Sequence, residues 1–164
     1  MNETLHQIKT EVFDTCAFKF SDFKTESESK EYHACKFVLN NLKIICRSSK
    51  TTPKKNGQFV TFWKRNKKGI TEPYKETDQV DFYVINATSE NSIGQFVFPK
   101  SELIKKGIVS TERKNGKRGF RVYPIWDKAQ SKQAKKTQQW QLNYFYEINS
   151  STDFEKVKEL YNRK

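Results

Sequence analysis

The chain has 164 residues, with 31 Lys or Arg against 19 Asp or Glu, giving a formal charge of +12 and a sequence pI near 9.6. That length suits one buried core rather than two, and thirteen Phe, seven Tyr and three Trp exclude a disordered polyelectrolyte, which is poor in aromatics. No run approaches the roughly 20 apolar residues of a membrane span, and Met1 to His6 lacks the basic and apolar parts of a secretion signal, so a cytoplasmic protein is expected.

In chain order, Leu5, Ile8, Val12 and Phe13 fall at helical spacing and predict an amphipathic helix over residues 3–15. Residues 24–31 have no apolar member and read as an exposed connection. His33 to Asn40 and Leu42 to Cys46 flank Asn40-Asn41, a pair suited to positive φ, and predict a hairpin. Ser48 to Asn56 reads as a lysine-rich loop feeding the strand Gln58–Trp63, and 64–79 as a second polar stretch. Val80–Ile85 and Ile93–Phe98 predict another hairpin, followed by a short helix capped by Ser101 and ended by Gly107. Ile108–Ser110 and Phe120–Tyr123 bracket Asn115-Gly116, the strongest short hairpin signal in the chain. Asp127 to about Gln138 reads as a helix, Trp140 to Ile148 alternates as a strand, and Asp153 caps a last helix carrying Val157, Leu160 and Tyr161. Adjacent strands with helices at the ends predict an α+β fold: one domain over 1–164, its mainly antiparallel mixed sheet flanked by helices.

Charge is unevenly placed. Residues 47–75 hold nine Lys or Arg against Glu72, and 99–136 hold twelve against three acids, while the remainder is net acidic. Such segregation suits a surface that meets polyphosphate. The candidate contacts form three groups. Lys50, Lys54 and Lys55 lie in the first loop, with Trp63, Lys64, Arg65, Lys67 and Lys68 beyond the next strand. Lysines there offer diffuse phosphate contact, Arg65 bidentate bonding, and Trp63 a stacking face for an unpaired base. Arg113, Lys114, Lys117, Arg118 and Arg121 crowd one turn, which places like charges together unless an anion is near. Lys128, Lys132 and Lys135 fall on one helical face with Lys136 beside them, and Gln138, Gln139 and Gln141 add amides nearby.

Catalysis has thinner support. A metal-dependent nuclease needs carboxylates that hold Mg²⁺ and usually a neighbouring lysine. Asp81, Gln95 and Lys100 trace that pattern with an amide in place of the second carboxylate. Cys16, Cys35 and Cys46 are scattered and odd in number, so reduced, buried thiols are expected. With no CxxC and only His6 and His33, a zinc site lacks ligands, and neither metal nor cofactor is expected outside the nuclease alternative.

Thr52-Pro53-Lys54-Lys55-Asn56-Gly57-Gln58-Phe59-Val60-Thr61-Phe62-Trp63-Lys64-Arg65, Gly94-Gln95-Phe96-Val97-Phe98-Pro99-Lys100, Gly116 to Pro124 and Thr137-Gln138-Gln139-Trp140-Gln141 together resemble the MepB family of small bacterial proteins, over residues about 31–148. The resemblance implies a compact fold akin to nucleic-acid-binding or restriction-endonuclease-like proteins and carries over no catalytic residue. It also implies a setting, since some members are encoded beside a multidrug efflux pump and its repressor. The sequence therefore predicts a binder of DNA or RNA backbone, with a metal-dependent nuclease or an adaptor for an acidic protein partner as alternatives.

Overall fold

The computed structural model describes residues 1–163. Its helices are α1 (Glu3–Ile8), α2 (Lys100–Lys105), α3 (Lys132–Gln141) and α4 (Phe154–Leu160). Its strands are β1 (Phe20–Thr25), β2 (Cys35–Leu39), β3 (Leu42–Ser48), β4 (Lys50–Thr52), β5 (Lys55–Thr61), β6 (Trp63–Arg65), β7 (Thr71–Pro73), β8 (Phe82–Thr88), β9 (Ile93–Pro99), β10 (Gly119–Val122) and β11 (Phe145–Glu147).

Alternating apolar residues decide the layering. On β8, Phe82 and Val84 enter one core while Tyr83, Ile85 and Ala87 enter another, and on β9 Val97 opposes Phe96 and Phe98 in the same way. A sheet with both faces buried must carry a layer on each side. On one side Leu5, Ile8 and the residues after α1 pack with Val157 and Leu160 of α4 and Tyr161 at its end; on the other lie Val60 from β5 and Phe62 just after it, Leu103 from α2, and Phe120 and Val122 from β10. The central sheet runs β1-β2-β3-β8-β9-β11 and is antiparallel except where β3 meets β8, Ile44 opposite Phe82. The crossover between those parallel strands carries the two-stranded sheet β6-β7 and two strands of the three-stranded sheet β10-β5-β4. The result is the expected α+β fold, a mixed, mainly antiparallel sheet with flanking helices.

Local chemistry explains several boundaries. Asn2 Oδ1 accepts from Leu5 N at 3.0 Å to start α1, and a wide turn follows, with Asp14 N donating to Lys9 O at 2.9 Å. That wide turn rephases the chain so that Val12 and Phe13 remain in the core. Asn40 and Asn41 take φ of 51° and 67° and turn β2 into β3, as predicted.

Elsewhere the structure corrects the sequence reading. The loop 48–56 is the hairpin β4–β5, and the polar stretch after Trp63 is the hairpin β6–β7. Pro99, with no side-chain cap, precedes α2 instead of Ser101, although Gly107 at φ 73° ends that turn as expected. No hairpin forms around Asn115-Gly116: Lys117 N bonds Ile108 O at 2.9 Å, while β10 pairs with β5. Gly116 lies so close to that backbone that a Cβ would sit 2.2 Å from Ile108 O. The helix expected from Asp127 begins at Lys132, where Ser131 Oγ accepts from Ala134 N at 3.0 Å, and it runs on through Trp140. The strand expected over 140–148 is therefore only Phe145–Glu147.

Candidate nucleic-acid interface

The basic segments separate into cations that are exposed without a counter-charge and cations already matched by acids. The first set surrounds β10. Arg121 stands opposite Phe59 on β5, its guanidinium 6.0 Å over that ring, and donates to Thr52 Oγ1 at 2.6 Å and Asn56 O at 3.2 Å. These bonds clamp the β4–β5 turn, where Lys54 has φ 68° and Lys54 and Lys55 are exposed. On the other edge of β10, the buried Gln141 of α3 donates to Arg121 O at 2.9 Å and accepts from Tyr123 N at 2.8 Å. Gln138 donates to Pro124 O at 3.0 Å and Asp127 O at 2.8 Å. Both glutamines thus hold α3 in place and are not ligand-facing amides.

A cleft of about 410 Å³ opens between β10 and α3. Lys106, Lys117 and Arg121 line it, Phe120 and Gln141 form buried parts of its wall, and no Asp or Glu borders it. Lys132, Lys135 and Lys136 project from the solvent side of α3, away from Ala134 and Thr137, which face the cleft. Lys128 precedes the helix and does not share its stripe. None of the ion pairs among the described residues includes Lys54, Lys55, Lys117, Lys132, Lys135 or Lys136.

The second set lies around β6–β7, where Lys64 and Arg65 on β6 are matched by acids. Lys64 Nζ is 2.6 Å from Asp78 and 3.5 Å from Glu72, which also pairs with Lys75 at 3.2 Å. Arg65 pairs with Glu28, donates to Gly69 O at 2.8 Å and lies 5.5 Å over Trp63, so it covers the ring that the sequence offered for stacking. Lys67 and Lys68 remain exposed at the turn. Arg118 donates to Thr71 O at 3.1 Å and borders a cleft of about 470 Å³ that also holds Glu72, Glu76 and Glu112. The adjacent Lys117 lines the first cleft, so neighbours on one basic turn serve opposite environments. Arg113 is exposed, Lys114 folds against Gly107, and Lys50 Nζ sits 5.6 Å over Tyr32.

Arg47, only 1% exposed, is a buried exception: it donates to Glu26 at 3.0 Å, to Tyr74 OH at 2.8 Å and to Cys46 O at 3.0 Å. Burial pushes the Tyr74 hydroxyl up to about 12 despite that guanidinium.

Gln95 lies apart from Asp81 and Lys100, which are neighbours across β8 and β9, Lys100 N donating to Asp81 O at 3.2 Å. Asp81 Oδ2 accepts from Lys43 N at 2.8 Å, and Lys100 Nζ turns to Asp78 O at 2.6 Å and Glu76 O at 2.8 Å. Gln95 pairs with Asn86, five positions along the strand from Asp81, a separation of about 17 Å at roughly 3.4 Å per residue. Its fully buried amide donates to Asn86 Oδ1 at 2.8 Å and accepts from Tyr146 OH at 2.7 Å and Tyr161 OH at 2.6 Å, which satisfies it as a core group. Among the described residues, no group of three or more His, Cys, Asp or Glu is placed to hold a metal ion. Cys16, Cys35 and Cys46 are all buried free thiols.

Two cleft residues escaped the sequence reading. Lys106 was assigned only to a short structural helix, and Trp140 to a strand; in the fold Lys106 Nζ lies 5.1 Å over the Trp140 ring at the cleft wall. The docking of α3 on β10 through Gln141, distant in sequence, brings Trp140 to Arg121.

The MepB-like family model matches residues 26–147. The crystal structure of MepB is similar at 32% identity and a TM-score of 0.79, covering 92% of this chain and 100% of that one. A bacterial homing endonuclease, 14% identical over 86% of this chain and 93% of its own, has a TM-score of 0.39, a level that carries no argument. No curated protein matches the sequence. No helix among the described residues is long and apolar enough to cross a membrane.

Proposed function

The chain belongs to the MepB-like family, and from that premise and its exposed cations we propose that it binds the phosphate backbone of nucleic acid, without cleaving it. The observation that carries this reading is the cleft between β10 and α3, bordered by Lys106, Lys117 and Arg121 and by no carboxylate. Lysines and arginines held close together repel one another, and a polyanion relieves that repulsion while releasing its own condensed counterions. Lys54 and Lys55 extend the positive surface along the β4–β5 turn, and Lys132, Lys135 and Lys136 extend it along α3. Backbone contact of this kind fixes position and carries no base sequence. The distance of Gln95 from Asp81, and the turn of the Lys100 ammonium to Asp78 O and Glu76 O, favour binding over hydrolysis.

The test is equilibrium binding of labelled DNA and RNA across a salt series, with parallel lanes containing Mg²⁺. If about six phosphates are engaged on duplex, log K against log salt falls with a slope of about −5, and the probe stays intact. Absence of binding at about 50 mM salt, where electrostatic contact is strong, overturns the proposal. Equal affinity for heparin and nucleic acid points instead to an acidic protein partner.

A further inference from the structure

The cleft has more than charge. Its wall includes Trp140, half-buried and packed on Phe98 at 5.5 Å between ring centroids, together with Tyr123 on the chain that leaves β10. Its volume of about 410 Å³ lies within the roughly 300–1,000 Å³ of small-molecule sites. The second cleft is larger, at about 470 Å³, but mixes Glu72, Glu76 and Glu112 with its cations and contains no aromatic side chain. Of the two, only the first pairs a planar apolar wall with cations outside any ion pair among the described residues, Lys117 and Arg121, beside Lys106, whose partner Glu102 lies 3.9 Å away; that is the chemistry of one nucleotide, a flat base and a phosphate.

Lys106 is the movable part. Its ammonium lies 5.1 Å over the Trp140 ring and 3.9 Å from Glu102, a long, exposed contact at the end of α2. An exposed cation–π contact is weaker than base–aromatic stacking, so an incoming base displaces the lysine from the ring, and the freed ammonium stays close enough to meet that nucleotide's phosphate. Lys117 and Arg121 border the same space. A base paired inside a duplex cannot reach a pocket of this kind; it must be unpaired or turned out of the stack.

Resting on the backbone-binding reading, we propose that the cleft between β10 and α3 seats one unpaired nucleotide, its base against Trp140 and its phosphate among Lys106, Lys117 and Arg121. The protein then prefers single-stranded or looped nucleic acid to plain duplex.

The experiment compares the affinities of a labelled oligothymidine single strand and a duplex of equal length, at one salt concentration, for the wild-type chain and two variants. Trp140→Ala removes the stacking face. Because it also disturbs packing on Phe98, Ala134→Phe provides a second probe: it fills the cleft, keeps every charge, and leaves the backbone bond that Ser131 accepts. The expected result is a single-strand preference in the wild type and a fall of about tenfold in the single-strand to duplex ratio in both variants. A wild-type ratio that favours duplex, or a ratio unchanged in Ala134→Phe, overturns the nucleotide pocket while leaving backbone binding in place. Failure of the wild-type chain to bind either strand form removes the backbone reading and the pocket together.

Discussion

The β4–β5 hairpin and the β6–β7 hairpin are adjacent in sequence and similarly rich in lysine and arginine, yet they differ in what surrounds them. Lys64 and Arg65 meet Asp78, Glu72 and Glu28, whereas Lys54 and Lys55 meet solvent, with Arg121 clamping the turn from behind through Thr52 and Asn56. A cation whose charge is already matched gains little from a phosphate, because binding must first exchange one partner for another. The number of basic residues in a window is therefore a poor measure of how strongly that window attracts nucleic acid. What counts is where the acids fold to.

Like-for-like neutralisation breaks or sustains this contrast most directly. Lys54→Gln with Lys55→Gln is expected to weaken duplex binding by roughly 30-fold at about 50 mM salt and to make the salt slope shallower by about 2. Lys64→Gln with Arg65→Gln is expected to change affinity less than about threefold and to lower stability by about 1 kcal/mol, the scale of partly exposed ion pairs. Fluorescence anisotropy and denaturant titration read the two effects. Equal losses of affinity from the two pairs would erase the distinction.

Alkaline pH bounds the range in which the contrast can be measured. Burial raises Tyr74, next to β7, from 10.0 to about 12, and it raises Tyr83, Tyr146 and Tyr161 as well. The folded chain keeps protons that the unfolded chain releases above about pH 10, so this contribution to stability is full below pH 10 and is lost as pH rises towards about 12. The loss is about 1.4 kcal/mol per pH unit for each tyrosine. Thermal melts stepped from about pH 8 to about pH 11 should show a level melting temperature and then a steep fall, with Tyr74→Phe reducing the slope. The smallest effect sharpens the comparison from the other side: Glu28→Gln unpairs Arg65 and is expected to raise affinity by about twofold, an increment in keeping with one exposed charge, measured by the same anisotropy titration.

The elements that sequence described well are those whose causes are local. Asn40-Asn41, the hairpin of Val80–Ile85 with Ile93–Phe98 and the Asp153 cap act within short stretches of chain, and each appears where expected. The Asn115-Gly116 signal misled because its flanking segments have better partners elsewhere: Ser110 N goes to Tyr74 O at 2.8 Å, and β10 goes to β5. Trp140 to Ile148 alternates as a strand would, but the Ser131 cap and the Gln141 bonds to β10 make its first half helical. The basic character of the interface was legible, whereas the cleft was not, since Lys106, Arg121 and Trp140 converge only through nonlocal pairing. Likewise nothing near Lys64 in sequence identifies Asp78 as its partner.

The parallel join of β3 to β8 gives the molecule an order in time. The hairpins β2–β3 and β8–β9 close over short turns, but β3 can meet β8 only after residues 49–81 have been looped out, and β10 must return across a still longer span to reach β5. Closing long loops costs entropy before any contact rewards it. The central hairpins can therefore form early, while the cleft that would meet a ligand waits on the longest closure in the sheets, the return of β10 to β5.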